Sequence, residues 1–262
     1  MKKRVGLILG VFMMSTILGV FLSAFPVSGQ QTGGIVTYAW LEDTRVMNPW
    51  TISTTWEAYI AMLVYDSLWE TDPETLIVEP LLCHTWEKAD ADGKEWLVSI
   101  YDNATFHDGH PLTVEDIVFN WMFAKYAGTY RTALIETYLE SVTIVNSTTV
   151  KFTLNQVYAP FPIGMDFFIV KTEDWDDFVV NWSGDVSNMT EPWIIDTTAL
   201  LAEDMLGTDD PLQGTGGFKW IKRIPGQFIE LDANPDYWHP RFQPRVDKLV
   251  MRIISNPAAQ LL

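Results

Sequence analysis

Residues Phe106 to Asn120 read FHDGHPLTVEDIVFN, and this stretch decides the fold because a turn, a proline and a capped helix follow one another in it. Gly109 after Asp108 indicates a tight turn, since glycine tolerates positive φ. Thr113 is a typical helix N-cap, and Asp116, three positions on, can complete a capping box. The spacing of the apolar residues that follow predicts one buried helix face, formed by Val114, Ile117, Val118, Trp121 and Met122.

The rest of the chain is rich in short β-strand patterns separated by turn residues. Strands are expected at residues 33–40, 67–70, 85–87, 95–100, 140–145, 150–154, 218–224, 228–233 and 248–254, and a helix at 56–65. The turn Asp90–Lys94 predicts a hairpin between residues 85–87 and 95–100. Strands mixed with a few helices, without regular βαβ alternation, indicate a mixed α/β (α+β) fold class. The acidic stretch from Glu173 to Asp210 has no clear period, so no element is assigned to it.

The N-terminus has the layout of a secretory signal peptide that covers residues 1–29. Lys2, Lys3 and Arg4 precede an uncharged apolar stretch from Val5 to Phe25, and small residues follow it. The apolar stretch is also long enough to span a bilayer, so an uncleaved membrane anchor is the alternative. The protein is therefore expected to be secreted, periplasmic or at the cell surface.

The chain without this signal is strongly acidic. The 17 basic residues fall to 14 against 34 acidic ones, which takes the net charge from −17 to −20. This balance argues against nucleic acid and anionic membrane surfaces as partners. Cys83 is the only cysteine, so an internal disulfide is excluded and a buried, unreactive thiol is expected.

The patterns that would indicate a metal site or an active site are weak. His107 and His110, with His84 nearby, have a spacing that zinc sites use, but the turn around His107 accounts for the pair without a metal. No G-x-S-x-G motif occurs, and no Cys/His pair has a supporting context. The pairs Asp176-Asp177 and Asp209-Asp210 fit solvated loops better than a glycosidase dyad. The sequence predicts a protein that is not an enzyme and uses no metal or cofactor.

Four N-x-S/T triplets are candidate sites for N-linked glycans, because such triplets are the acceptor motif in secreted proteins. Their asparagines are Asn103, Asn146, Asn181 and Asn188. The glycine-rich run Gly214–Gly217 is expected to need a close backbone approach at Thr215 and Gly216. The missing G-K-S/T sequence excludes a phosphate-binding P-loop there.

Several motifs together resemble family 5 of the extracellular solute-binding proteins of ABC transporters, the peptide, oligopeptide and nickel type. Phe106–Ile117 is similar to the family segment F-x-D-G-x-P-x-(T/S)-x-x-D-V. Val78–Trp86 is similar to P-x-L-A-x-x-W, although its Cys83-His84 departs from the family pattern. Asp92–Trp96 resembles D-G-x-x-(Y/W), and Gln213–Phe218 resembles G-T-G-P-Y/F with glycine in place of proline. Ala233–Trp238 is similar to N-P-x-Y-W, and the motifs keep the family's order along residues 35–262.

The resemblance implies a fold of the periplasmic-binding-protein type II kind, in which two lobes close on a solute by a hinge motion. It implies that this chain is the first lobe of such a protein and stops before the second lobe. Residues 30–54 and 166–262 would form the discontinuous core of this lobe. Residues 55–165 would form an inserted subdomain.

The function implied by the resemblance is extracytoplasmic solute binding for an ABC importer. Such a protein binds peptides or oligosaccharides as a monomer and delivers them to the transmembrane subunits of a permease. The alternative function is a surface-anchored sensor or a structural glycoprotein that reuses the binding lobe.

The resemblance also suggests which residues contact the solute. Family members commonly use the loop after the first strand, which here contains Trp40, Asn48 and Trp50. The alternative for these three is a turn at Asn48 and tryptophans in the core. Tyr130 and Arg131 follow the capped helix and are further candidates, although Arg131 is also placed to pair with an acidic neighbour such as Glu136 on the surface.

Overall fold

The computed structural model describes residues 33–72, 74–129, 132–161, 163–189, 192–206 and 212–254. The expected signal peptide at residues 1–29 lies outside the described residues. Within these ranges, no helix has both the length and the apolar character needed to cross a membrane.

The first sheet joins the two ends of the described chain. Strand β1 (Ile35–Trp40) pairs in parallel with β10 (Lys248–Ile253). Strand β9 (Phe228–Ala233) lies antiparallel between β10 and β8 (Phe218–Ile224). Successive side chains of a strand point to opposite faces, and the alternate residues that face the core are Ile229, Leu231, Leu249 and Met251. The strands expected at both ends of the chain are therefore confirmed within one or two residues.

The second sheet is antiparallel throughout. Its strands are β4 (Cys83–Lys88), β5 (Glu95–Ile100), β6 (Leu139–Asn146) and β7 (Thr149–Leu154), in the order β4-β5-β7-β6. The hairpin predicted around the turn Asp90–Lys94 is confirmed as the pair β4 and β5. Cys83 is fully buried at the start of β4, and burial raises the pKa of its thiol to about 12, as expected for an unreactive cysteine.

The remaining regular elements are a two-stranded β pair, four helices and several 3-10 turns. Strands β2 (Trp69–Thr71) and β3 (Val78–Pro80) form a two-stranded pair. The helices are α1 (Thr55–Val64), α2 (Val114–Ala127), α3 (Ala133–Tyr138) and α4 (Thr197–Ala202). Single 3-10 turns occur at Ile163–Met165, Thr172–Asp174, Asp176–Phe178 and Val186–Asn188. The two longer helices confirm the sequence prediction, whereas α3 and α4 were not expected.

Helix α2 begins at the predicted capping box. The Thr113 hydroxyl accepts a hydrogen bond from the amide of Asp116 at 3.3 Å, and the Asp116 carboxylate accepts one from the amide of Thr113 at 2.9 Å. All five residues of the predicted buried face are buried, and burial extends beyond that face to eleven of the 14 helical residues. Phe119 packs against Trp182 and Trp193, which come from the stretch where no element was assigned. That stretch covers the face of α2 that would otherwise meet water.

The two four-stranded sheets together with the helices confirm the mixed α/β class. The strands of the first sheet come from residues 35–40 and 218–253, and those of the second sheet from residues 83–154. The division into a core of residues 30–54 and 166–262 and an insert of residues 55–165 stays a prediction.

Candidate functional site

A cavity of about 470 Å³ lies at the C-terminal end of α1. Its walls come from the end of α1, from β2, from the segment after the Ile163–Met165 turn and from the loop after β9. Seven aromatic residues line it: Tyr65, Trp69, Phe167, Phe168, Phe218, Tyr237 and Phe242. Three acidic residues, Asp66, Glu70 and Asp166, line it as well, and the described wall contains no Lys, Arg or His. Small-ligand sites have this size and this mixture of apolar walls with a few polar groups.

A glycine-rich strap, residues Gly214–Gly217, closes one side of this cavity. The amide of Gly216 donates to the carbonyl oxygen of Val64 at 2.9 Å. A Cβ atom added to Gly214 would lie 1.9 Å from the same oxygen, so only glycine fits there. The expected close backbone approach is confirmed, and it brings Gly217 and Phe218 into the cavity wall.

Asp66 is the most deeply buried acid of the cavity, with 6% of its surface exposed. Its carboxylate accepts hydrogen bonds from the Tyr237 hydroxyl and the Trp238 indole N–H, each at 3.2 Å. Its amide donates to the Thr215 hydroxyl at 3.3 Å. Burial raises the pKa of Asp66 to about 6, because loss of hydration outweighs these hydrogen bonds and the charge of Glu70 adds to it.

Asp166 and Asp66 belong to chain segments that run together, and both line the cavity. The amide of Ile169 donates to the carbonyl oxygen of Asp66 at 2.9 Å. Asp166 is exposed and lines the cavity, so a ligand can reach it. The surrounding protein nevertheless raises its pKa well above the usual range, since loss of hydration outweighs the hydrogen bonds from Ser67 and from the amide of Phe167.

Glu70 is the third acid of the wall. Partial burial and the nearby charge of Glu79 raise its pKa. Arg241 stands outside the cavity wall, where it pairs with Glu79 and lies 3.9 Å from an oxygen of Asp72. The charge of Arg241 also lowers the pKa of Glu70, and its guanidinium lies 5.0 Å from the ring of Phe242 in the wall.

The loop after β1 places two of the candidate solute contacts in the core. Asn48 is fully buried, and its side-chain amide donates to the carbonyl oxygens of Leu200 and Glu203 at 3.0 and 3.1 Å. Its side-chain oxygen accepts from the amide of Trp50 at 3.0 Å, and Trp50 is 2% exposed. In this arrangement Asn48 holds the loop to helix α4, and Trp50 packs against Phe123, Phe167 and Trp175.

Trp40 ends β1 and is buried in an aromatic group, with its ring centre 4.9 Å from that of Trp56. None of Trp40, Asn48 and Trp50 lines the 470 Å³ cavity. Tyr130 and Arg131 lie outside the described residues. Solute contact by any of the five residues stays a prediction.

Residues of the same loop do line a second, more open depression of about 770 Å³. Here the Asp43 carboxylate accepts two hydrogen bonds from the Arg223 guanidinium, at 2.8 and 2.7 Å, and one from the amide of Gly226 at 2.7 Å. Burial tends to raise the pKa of Asp43, but these hydrogen bonds outweigh it and hold the pKa below its usual range. The sequence carries no signal for this pair, because its members are 180 residues apart.

The histidines of the weak zinc pattern have separate contacts. His107 Nε2 lies 2.9 Å from the carbonyl oxygen of Gly216, and the amide of Gly214 donates to Nδ1 at 3.3 Å. His110 pairs with Asp108 at 2.9 Å on the surface. Across the described ranges, no group of three His, Cys, Asp or Glu residues is placed to hold a metal ion.

The four sequon asparagines differ in exposure. Asn103, Asn146 and Asn188 are exposed, whereas Asn181 is half-buried and its side-chain oxygen accepts from the amide of Ile194 at 2.8 Å. Glycosylation at these four positions stays a prediction.

Sequence reasoning missed the acids of the cavity. Asp66 follows an apolar helix and gives no local sign of its buried environment, and Asp166 stands in an aromatic segment read only as a boundary. The one available signal was the motif Ala233–Trp238, which supplies the two donors to Asp66 from 171 and 172 residues away.

Comparison with known proteins identifies relatives of this chain. The model of the bacterial extracellular solute-binding proteins, family 5 Middle, matches residues 78–262. The probable D,D-dipeptide-binding periplasmic protein DdpA of Escherichia coli K12 is 27% identical over 216 residues, which cover 82% of this chain and 37% of that protein. The putative ABC transporter peptide-binding protein BOV_A0352 of Brucella ovis is 28% identical over 166 residues, which cover 61% of this chain and 27% of that protein. The chain thus spans well under half the length of the relatives it matches.

Solved structures of the same architecture confirm the fold. The oligopeptide-binding protein AppA of Bacillus subtilis, in complex with a nonapeptide, has a TM-score of 0.71 at 24% identity, over 88% of this chain and 42% of that one. An oligopeptide ABC transporter periplasmic binding protein of Thermotoga maritima, with mannohexaose bound, has a TM-score of 0.66 at 19% identity, over 89% and 40%.

Proposed function

Because the chain belongs to family 5 of the bacterial extracellular solute-binding proteins, we propose that it is the solute-binding component of an ABC importer and that its solutes are peptides. The family match over residues 78–262 is the observation that carries this proposal. The names of the E. coli and Brucella relatives, both peptide-binding, support the choice of solute.

The proposed place of action is outside the cytoplasm, either free in the periplasm or held at the cell surface. The partners are the transmembrane subunits of a permease, and the protein acts as a monomer. In this role it performs no chemistry on the solute. The acidic composition fits a protein that meets neither nucleic acid nor anionic membranes.

The proposed mechanism is binding followed by closure of two lobes around the solute. A solute that contacts both lobes stabilises the closed form, and only that differential affinity shifts the open–closed population. The permease would then recognise the closed form. Within this lobe we propose residues 30–54 and 166–262 as the core and residues 55–165 as the insert.

Native mass spectrometry of the protein purified from its own source tests this proposal. We expect a population of bound molecules whose masses and fragments are those of short peptides, and which exchange with added peptide. A preparation that carries no solute and binds no member of a mixed peptide library would overturn the peptide role. A sensor or structural role would then take its place.

Oligosaccharides are the second candidate solute. The mannohexaose-bound relative in fold and the seven aromatic side chains of the cavity favour them, because sugar rings stack on aromatic faces. The same mass spectra separate the two candidates. Oligosaccharides of different length differ by whole hexose units of constant mass, whereas peptides differ by the varied masses of amino-acid residues.

A further inference from the structure

The 470 Å³ cavity combines acidic groups with aromatic walls and lacks a cation of its own. Asp66, Glu70 and Asp166 line it, and no Lys, Arg or His does so among the described lining residues. An ionised carboxylate that has lost hydration is unfavourable unless a positive charge or several hydrogen bonds compensate for it. Arg241 pairs with Glu79, lies 5.0 Å from the ring of Phe242 at the edge of the wall and lowers the pKa of Glu70, so its charge offsets part of the Glu70 side. The two aspartates have no cationic partner among the described residues that line the cavity.

The two aspartates occupy different depths. Asp166 is exposed and lines the cavity, so it can make direct contact with a ligand. Asp66 is 6% exposed and is held in place by Tyr237 and Trp238. It lines the cavity with only this small part of its surface, and the surroundings screen its charge less than water would.

The aromatic walls favour the same kind of ligand. The faces of Tyr, Trp and Phe rings attract cations, and the attraction is larger when the cation has lost water. Seven such side chains surround the three acids. An inorganic ion would leave these rings without contacts, whereas an organic cation meets both the rings and the carboxylates.

We propose that this cavity binds a small organic ammonium ion, with Asp166 in contact with the charged nitrogen, Asp66 behind it and the aromatic side chains around its apolar part. The ammonium group comes either from a free amine or from the amino terminus of a peptide. The second source rests on the proposed peptide function, and the first does not. The volume of the cavity is within the range of small-molecule sites.

Titration calorimetry on the full chain tests the role of the charge with two matched ligand pairs. The first pair is choline and its uncharged isostere 3,3-dimethylbutan-1-ol. The second pair is trialanine and N-acetyltrialanine. We expect at least one cation to bind about tenfold more tightly than its uncharged counterpart, because a desolvated cation over aromatic rings and beside a carboxylate gains free energy that the neutral molecule lacks. Preference within the choline pair identifies a free amine, and preference within the trialanine pair identifies a peptide amino terminus.

Two variants locate the binding in this cavity. Asp166→Asn removes the ionisable group at an exposed position, and Phe218→Leu removes one ring of the wall. Both are expected to reduce the affinity for the preferred cation about tenfold or more. Asp102→Asn, in the exposed turn after β5, is the matched control and is expected to leave the affinity unchanged. Thermal unfolding of each variant verifies that it is folded.

The possible results separate this inference from the proposed function. If neither cation binds, if the uncharged ligands bind equally well, or if Asp102→Asn acts like Asp166→Asn, the inference is wrong. Peptide binding that is unaffected by N-acetylation of the peptide and by Asp166→Asn would leave the transport proposal intact and overturn the inference. Choline binding that depends on Asp166, without any peptide binding, would support the inference and overturn the peptide role.

Discussion

The imidazole Nε2 atom of His107 lies 2.9 Å from the carbonyl oxygen of Gly216. On the other side of the ring, the amide of Gly214 donates to Nδ1 at 3.3 Å. Burial lowers the pKa of His107, which agrees with a neutral ring that donates from one nitrogen and accepts at the other. One side chain from the turn before α2 therefore fixes the glycine strap that closes the cavity.

The first prediction concerns this contact. His107→Ala should lower the free energy of unfolding by about 1–3 kcal/mol, because it leaves the buried amide of Gly214 without this partner and the carbonyl oxygen of Gly216 with only a long hydrogen bond from Asn234 at 3.4 Å. His110→Ala, three residues on and exposed, should change it by less than about 0.5 kcal/mol. Urea unfolding of both variants measures the difference. Equal effects would mean that the strap does not depend on the imidazole.

The second prediction concerns the strap itself. Gly214→Ala should destabilise the protein by about 3 kcal/mol or more, because its Cβ would lie 1.9 Å from the carbonyl oxygen of Val64 and backbone would have to move. Gly109→Ala is the matched control, since its Cβ meets open space and only its φ of +89° is unfavourable. That strain costs about 1 kcal/mol. Similar unfolding midpoints for the two variants would show that the backbone of the strap can move away from the added Cβ at little cost in free energy.

Local sequence signals predicted the elements of this fold well. The capping box at Thr113 and the strand Phe218–Ile224 needed only neighbouring residues to be recognised. The burial of α2 on nearly all sides could not be predicted, because Trp182 and Trp193 cover it from an irregular segment. Helices α3 and α4 have six residues each, too few to show a helical period.

The candidate site was harder to predict than the fold. The contact between Asp66 and Tyr237 joins residues 171 positions apart, and no pattern in one sequence reports such a pair. Asn48 shows the same limit. The sequence leaves it as either a solute contact or part of a turn, and only the structure shows that its side-chain amide donates to the backbone of helix α4 and of the residue after it.

The third prediction is a pH dependence that Asp66 controls. Its pKa is raised in the folded state from 3.8 to about 6, so its contribution to stability is fully present below about pH 4 and is lost as the pH rises through about 6. Relative to Asp66→Asn, the natural protein should lose on the order of 1–3 kcal/mol of unfolding free energy between pH 4 and 7. Glu70 on β2 and Asp166, which line the same cavity, titrate in both proteins and largely cancel, and Tyr237 stays protonated over this range because burial raises its pKa. Urea unfolding at several pH values measures the free energy of unfolding against pH for the natural protein and for Asp66→Asn. Parallel curves for the two proteins would contradict the prediction.

The last prediction tests the loop after β1, which the family resemblance connects with solute contact. Arg223 holds this loop with two hydrogen bonds to Asp43, and a lysine at that position keeps the charge but cannot form the same fork. Arg223→Lys should lower the free energy of unfolding by only about 0.5–1 kcal/mol, since the pair is partly exposed, but should speed amide hydrogen exchange in residues 41–45 several-fold. Arg252→Lys, at an exposed position of β10, is the control and should leave exchange in the loop unchanged. Unchanged amide exchange in Arg223→Lys would mean that the contacts of Asn48 are sufficient to hold the loop in place. Faster exchange together with an altered solute affinity would make the loop part of the binding surface.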